Sequence, residues 1–372
     1  MKLNKSLYGL KQAPVNWNRT FDSAITKLGF KATASDPCLY TYGTGDNYAI
    51  LSLYVDDILL TGTSKSLLAR LQHLLHSMFQ MASQGQVSEL LGMEISRDFE
   101  MGTISISQRK YAQSILERYG MDKCSSVSTP GCGKELSSEP EGAIFLDAAG
   151  IKEYQSLVGS LLYLTQCTRY DLCYSVSQLC RSASKPTTAH MEAAKRVLRY
   201  LRGRPDLPIT YRKGDFDKLK GFCDASHGTA DPDRGRSCSG SMFFLSGGPI
   251  SFTSSIQKRV AQSSTEAEVE AMIQCSKEGI YWLCMLGELG ARHLTTFELY
   301  TDSQSGLFLV TTAAVHGRTR HTLLRYQLLK TWIEEGKIIP SHVPGTLQLC
   351  DILTKWLPRL LHNRLLAMIT NF

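Results

Sequence analysis

The chain has 372 residues, 43% of them hydrophobic and 20% charged. These proportions suit two or three folded domains with real cores and argue against a disordered chain. Its net charge of +7 and pI near 8.8 fit a polyanionic partner without demanding one. No run of about twenty apolar residues exists, so no membrane span is expected, and the opening Met1-Lys2-Leu3 shows no signal peptide. The 11 cysteines include no Cys-x-x-Cys pair, which favours buried free thiols in a reducing, intracellular compartment over zinc ligands.

Along the chain, Asn16 to Leu28 reads as a helix, followed by a strand over Cys38–Tyr42. Next comes an apolar strand pair from Ala49 to Leu60, interrupted by Asp56 and Asp57. Unpaired carboxylates in an apolar setting are costly, and a divalent cation at a hairpin tip would compensate them. An exposed acidic turn is the simpler alternative. A helix from Ser66 to Phe79, a hairpin through Met101-Gly102 and an amphipathic helix from Gln108 to Tyr119 follow. The segment Cys124–Gly142, rich in Ser, Gly and Pro, reads as a linker.

Tyr154 to Arg202 is helical in pattern. Ala194, Val197, Leu198 and Leu201 make an apolar stripe. Lys195, Arg199 and Arg202 lie on another face, either simply solvated or tracking a phosphate backbone. After Gly214 the pattern predicts a strand Leu219–Cys223, a hairpin of Ser239–Leu245 and Pro249–Thr253, and a long helix from Ser264 to Leu289. A strand Phe297–Thr301, a helix Leu323–Glu335 and a strand Lys337–Val343 complete an α/β layer domain.

Asp224 and Asp302 each follow a short strand of that domain. Glu268 lies in the first turns of the long helix, and Asp351 opens the last one. Four carboxylates from four elements are what a two-metal phosphodiester hydrolase needs, its ions about 3.5–4 Å apart. Ser263-x-x-Glu266 reads as a capping box, making Glu266 structural. Thr265-x-x-Glu268 has the same form, so local rules leave Glu268 open, and Asp302-Ser303 could be a helix entry.

Longer motifs now carry a resemblance. They include Ser6-Leu-Tyr-Gly-Leu-Lys-Gln-Ala-Pro14, Ser35-Asp-Pro-Cys-Leu-Tyr40, Tyr54-Val-Asp-Asp-Ile-Leu59, Ser107-Gln-Arg-Lys-Tyr111 and Leu157-Val-Gly-Ser-Leu-Leu-Tyr-Leu164. Ala194-Lys-Arg-Val-Leu-Arg-Tyr-Leu201, Ser263-Ser-Thr-Glu-Ala-Glu268 and Asp351-Ile-Leu-Thr-Lys355 follow. Over essentially its whole length the chain resembles the reverse transcriptase–RNase H part of the Pol polyprotein of copia-type LTR retrotransposons.

The resemblance implies a mixed α/β and α+β fold: a partial polymerase palm over 1–97, a thumb-like segment and linker over 98–147, and a helical connection over 148–214. An RNase H-like domain, a mixed sheet flanked by helices, would occupy 215–372. Asp56 and Asp57 correspond to the polymerase metal pair, Lys11 and Gln12 to the element lining the incoming nucleotide, and Gly92 to the primer-grip turn. Asp224, Glu268, Asp302 and Asp351 correspond to the RNase H carboxylates, holding Mg²⁺ or Mn²⁺. The implied partner is an RNA–DNA hybrid, with other Pol or Gag products as further partners.

The sequence also departs from that family. The strand carrying a third polymerase aspartate would precede Ser6, so the expectation is an N-terminally truncated fragment with an inactive polymerase and a functional RNase H. Val15, Tyr170 and Gln327 stand where the family usually has a basic residue, a proline and a histidine. A non-catalytic nucleic-acid-binding relic and a degenerate retroelement product are the alternatives.

Overall fold

In the computed structural model, residues 6–7, 9–131, 133, 136–137, 142–214, 216, 218–231, 234–312 and 323–372 are described. Tyr8 of the first motif, residues 132, 134–135 and 138–141 of the expected linker, and Asp215 lie outside them. Contacts divide the chain into two units: Met1–Leu90 with Tyr281–Thr295, and Leu91–Ile280 with Thr296–Phe372.

The first unit begins with α1 (Ala13–Lys27), where Pro14 occupies the first turn and its missing N–H costs nothing. Four strands follow, β1 (Phe30–Ala32), β2 (Leu39–Tyr42), β3 (Ala49–Tyr54) and β4 (Asp57–Gly62), paired antiparallel in sequence order. The hydroxyl of Ser64 accepts from the Leu67 N–H at 3.2 Å and starts α2 (Lys65–Met78). Leu67, Leu71 and Leu75, spaced by four, pack with Phe21, Ile25, Tyr40 and Leu51 into one core.

The second unit opens with the hairpin of β5 (Met93–Asp98) and β6 (Thr103–Ser107), then α3 (Arg109–Arg118). Asp147 caps α4 (Ala148–Cys167), its Oδ1 accepting from the Gly150 N–H at 2.8 Å. Helices α5 (Cys173–Arg181) and α6 (Thr188–Gly203) follow, and β7 (Ile209–Arg212) returns to pair with β6, Ile209 opposite Ile106. Ala112 and Ile115 of α3 share a core with Leu157 and Leu161 of α4, Val176 of α5 and Val197 and Leu198 of α6.

Segments 98–147 and 148–214 share one core and one sheet. Backbone carbonyls just before and within the first part of the expected linker accept hydrogen bonds from α6. Arg196 Nε donates to the Gly131 carbonyl at 2.6 Å, Arg199 Nε to that of Ser125 at 2.8 Å, and Arg202 Nε to that of Asp122.

The last layer is a five-stranded mixed sheet of β8 (Leu219–Asp231), β9 (Arg236–Leu245), β10 (Gly248–Ile256), β11 (Phe297–Thr301) and β12 (Ile338–His342). Its order is β10-β9-β8-β11-β12. The β8–β9–β10 pairings are antiparallel, and β11 runs parallel to both β8 and β12. Helix α7 (Ser264–Glu288) leads from β10 toward β11, and α8 (Gln304–Thr311) with α9 (Leu323–Glu334) connects β11 to β12. Two helices close the chain, α10 (Asp351–Thr354) and α11 (Arg359–Thr370).

A strand–hairpin–helix–strand–helix–strand pattern with this order gives the RNase H-like sheet expected from the motifs. Strand β8 runs seven residues beyond Asp224, so this carboxylate stands within a strand rather than at its end. Tyr170, a departure from the family pattern, is buried against Phe252, with ring centroids 5.8 Å apart. It belongs to a core that also takes Leu207, Phe222, Met242 and Leu365. Among the described residues no helix is long and apolar enough to cross a membrane, and the described cysteines are free.

Candidate nuclease site

The sheet register sets the site. In the parallel pair, Phe222 of β8 lies opposite Tyr300 of β11. Asp224 and Asp302, each two residues further on, thus come level. Helix α7 supplies the third carboxylate. Its capping is settled by Glu266: Ser263 Oγ accepts from the Glu266 N–H at 3.1 Å, and Glu266 Oε2 accepts from the Gln262 N–H at 2.8 Å. That leaves Glu268 to face the sheet. One oxygen from each of Asp224, Glu268 and Asp302 lies within 4.8 Å of the others.

Asp351, the first residue of α10, is buried beside this group and tied to it through Lys355. Lys355 Nζ lies 2.8 Å from Asp351 Oδ1 and 3.6 Å from Asp224 Oδ2. Thr354 Oγ1 donates to Asp224 Oδ2. Gln348, fully buried, anchors the approach to α10: its Nε2 donates to the Cys223 carbonyl at 2.9 Å, and its Oε1 accepts from the Cys350 N–H at 3.2 Å.

The electrostatics are those of crowded negative charge. Burial, then the charges of Asp224 and Asp302, pushes Glu268 up to about 9, against a hydrogen bond from the Ala225 backbone. Burial and Asp224 raise Asp351 to about 6, with Lys355 opposing. Asp224 is 2% exposed, and burial lifts it above the usual carboxylate range in spite of Lys355 and Thr354. Burial works against the charge on Lys355, yet Asp224 and Asp351 hold its ammonium above its ordinary value.

Glu268 Oε2 is buried with no hydrogen-bond partner among the described residues. A donorless carboxylate oxygen beside two more carboxylates fits a hard divalent cation, which oxygen ligands suit. Asp224, Glu268 and Asp302 would hold it, with Asp351 adjacent.

The other expected residues are placed elsewhere. Asp56 and Asp57 sit exposed at the tip of the β3–β4 hairpin, with Asp57 opposite Tyr54. The cost of burying them, which motivated a cation there, does not arise because water reaches both. The turn is unusual in another way. Val55, a β-branched residue, has φ +51°, a left-handed conformation that such residues avoid. Its carbonyl accepts from Trp17 Nε1 at 2.6 Å.

Lys11 is exposed, and Gln12 is the exposed N-cap of α1 without a side-chain cap bond. Leu91 and Gly92 both have positive φ, +51° and +67°, and Tyr163 donates to the Leu91 carbonyl. On α6, Lys195 pairs with Glu192 at 3.1 Å, while Arg199 and Arg202 are engaged by loop carbonyls.

Sequence reasoning missed Lys355 and Thr354 as neighbours of the carboxylates. The four-residue spacing from Asp351 to Lys355, an ion-pair spacing on a helix, was the available signal.

Comparison with known proteins gives the family. The reverse transcriptase (RNA-dependent DNA polymerase) family profile matches residues 1–132. The putative transposon Ty5-1 protein of Saccharomyces cerevisiae is 34% identical over 268 residues, covering 72% of this chain and 85% of that protein. The chain belongs to the copia-type retrotransposon Pol family.

A second member, the retrovirus-related Pol polyprotein from transposon TNT 1-94 of Nicotiana tabacum, is 38% identical over 362 residues. That match covers 96% of this Pol segment and 27% of the relative. The segment thus spans about a quarter of the length of the first curated relatives it matches. Among solved structures, RNase H1 from Halobacterium salinarum is 20% identical over 37% of this Pol segment and 94% of that chain, with a TM-score of 0.27.

Proposed function

We propose that this Pol segment cleaves the RNA strand of RNA–DNA hybrids with Mg²⁺ or Mn²⁺, using Asp224, Glu268, Asp302 and Asp351. The observation that carries this reading is the convergence of three carboxylate oxygens within 4.8 Å, from two parallel strands and the helix between them. Bound divalent ions would activate a water and stabilise the leaving oxygen of a phosphodiester.

The protein's part is positional. The β8–β11 register fixes the distance between Asp224 and Asp302. Helix α7, capped independently by Ser263 and Glu266, presents Glu268 without using it structurally. The burial of Asp224 keeps water from competing for its oxygens. RNA–DNA hybrid is the proposed partner, and the remaining Pol and Gag products are further candidates.

For polymerisation, Asp56 and Asp57 would be the metal pair, Lys11 and Gln12 would line the incoming nucleotide, and Gly92 would belong to the primer-grip turn. Among the described residues no third carboxylate joins them in a metal-holding group, so we infer that nucleotide transfer at that hairpin needs one.

A labelled RNA–DNA hybrid incubated with the full chain and Mg²⁺ or Mn²⁺ tests the nuclease reading. Endonucleolytic cuts confined to the RNA strand are expected, and Asp302→Asn should reduce them at least a hundredfold. Folded protein that never cuts, or cutting that survives Asp302→Asn, overturns it. Salt-sensitive binding of the hybrid without cutting would instead favour the non-catalytic relic.

A further inference from the structure

Lys355 follows α10 directly. Its backbone is extended, with φ −151° and ψ 163°, and its side chain turns back over the helix it has just left. The ammonium reaches Asp351 Oδ1 at 2.8 Å and Asp224 Oδ2 at 3.6 Å. The side chain remains 40% exposed, whereas those of Asp224 and Asp351 are 2% and 13% exposed. The lysine therefore enters from solvent along a flexible stem and sets a point charge between two buried carboxylates.

That position is one a divalent ion would need. An ion bound to Asp351 Oδ1 at about 2.1 Å would lie within about 5 Å of Nζ where it now stands. Two cations that close repel strongly in a partly buried site. Formal charge points the same way. Fully ionised, as metal ligands must be, four carboxylates and one lysine carry −3; one divalent ion brings this to −1, and a second would overshoot to +1 unless the lysine withdraws.

We propose that Lys355 is a resident counter-cation that sets the order of metal loading. The first divalent ion enters at Asp224, Glu268 and Asp302, and a second binds across Asp224 and Asp351 only when the Lys355 ammonium swings out. This rests on the reading of the carboxylates as a metal site. In the metal-free chain the same ammonium keeps Asp224 and Asp351 from repelling each other. Removing it should thus have effects of opposite sign, loosening the metal-free fold and tightening the second ion. A lysine that merely packed against α10 would give only the first.

The test counts Mn²⁺ bound to the full chain, without nucleic acid, by the electron paramagnetic resonance of free Mn²⁺. Wild type, Lys355→Met and Lys355→Arg are compared, each with its melting temperature in chelator and in saturating Mn²⁺. Wild type and Lys355→Arg should bind a second ion at least tenfold more weakly than the first. Lys355→Met should tighten the second ion at least tenfold, melt lower in chelator and recover in Mn²⁺. Lys355→Gln replaces it if the methionine variant does not fold.

An unchanged second-ion affinity in the folded variant overturns the proposal. If wild type still cuts hybrid in the same buffer, the nuclease reading survives that result. Failure of every protein to bind Mn²⁺ overturns both.

Discussion

Gly240 lies directly opposite Asp224 in the antiparallel pairing of β9 with β8, and its missing side chain is what admits α10 to the site. A Cβ there would lie 2.8 Å from Thr354 Cγ2, 2.9 Å from Leu353 Cβ and 3.2 Å from the Cys350 carbonyl. Two of those three atoms are backbone or the root of a side chain, with little freedom to move. Gly240→Ala should push α10 outward, with an overpacking cost of about 1–3 kcal/mol. It should separate Asp351 and Thr354 from Asp224. Denaturant melts read the first effect, and loss of hybrid cleavage without loss of hybrid binding reads the second. Wild-type cleavage in this variant would show that α10 need not touch β9.

The crowded carboxylates give a pH signature of definite sign. In the folded metal-free chain Glu268 keeps its proton to about 9, while its ordinary value is 4.5. Asp351 keeps its own to about 6, against 3.8. Between those limits the folded state binds more protons than the unfolded one, so stability falls as pH rises. Melting temperatures in chelator should therefore drop from pH 5 to pH 9. Glu268→Gln should flatten the drop, and saturating Mg²⁺ should reverse it by favouring the ionised form. A metal-free melting temperature that climbs across this range in wild type but not in Glu268→Gln would contradict the assignment.

A second buried charge group lies between α4 and α5. Arg169 grips Asp171 through two bonds, Nε to Oδ1 at 2.9 Å and a terminal nitrogen to Oδ2 at 2.7 Å, with both side chains almost fully buried. Arg169→Met leaves Asp171 uncompensated in the interior, which should cost about 3–5 kcal/mol. Adding Asp171→Asn to Arg169→Met should recover part of that loss. Equilibrium denaturation of the three proteins decides it, and a single variant as stable as wild type would mean that water reaches Asp171.

The arginines of α6 distinguish a phosphate track from a clamp. Arg199 and Arg202 donate to the Ser125 and Asp122 carbonyls, so Arg199→Ala and Arg202→Ala should speed proteolysis within 122–131. Neither should change the salt dependence of hybrid binding by the full chain. A decrease of about one in the slope of log affinity against log salt, for each arginine removed, would instead assign them to phosphates.

How much of this was legible beforehand depended on distance along the chain. Local periodicity placed the long helix within a residue of its observed Ser264–Glu288 span and matched the strand Phe297–Thr301. Capping rules mark Glu266 as structural but leave Glu268 open, and the resemblance alone selects it; the hydrogen bonds of Ser263 and Gln262 give the physical reason. Pairings between distant segments were illegible. Nothing near Ile209 announces β6 as its partner, and the arginine stripe of α6 looks alike whether it faces phosphates or carbonyls. The residue pattern stops strand β8 at Cys223, before Asp224; in the structure β9 continues the ladder, with Ser226 opposite Cys238. The apolar context of Asp56 and Asp57 suggested burial, but a two-residue turn puts both at the tip, where their neighbours' hydrophobicity does not reach.

The core that joins Tyr170, Cys173, Leu207 and Ile209 to Phe222, Met242 and Leu365 also bears on heredity. If two copies exchanged segments, a crossover near residue 215 would split this core between two parents. Each half would meet a partner surface shaped by a different history. The RNase H-like sheet should therefore be inherited with the helices before it, and breakpoints that keep this core whole should cluster before Leu91 rather than at the edge of the sheet.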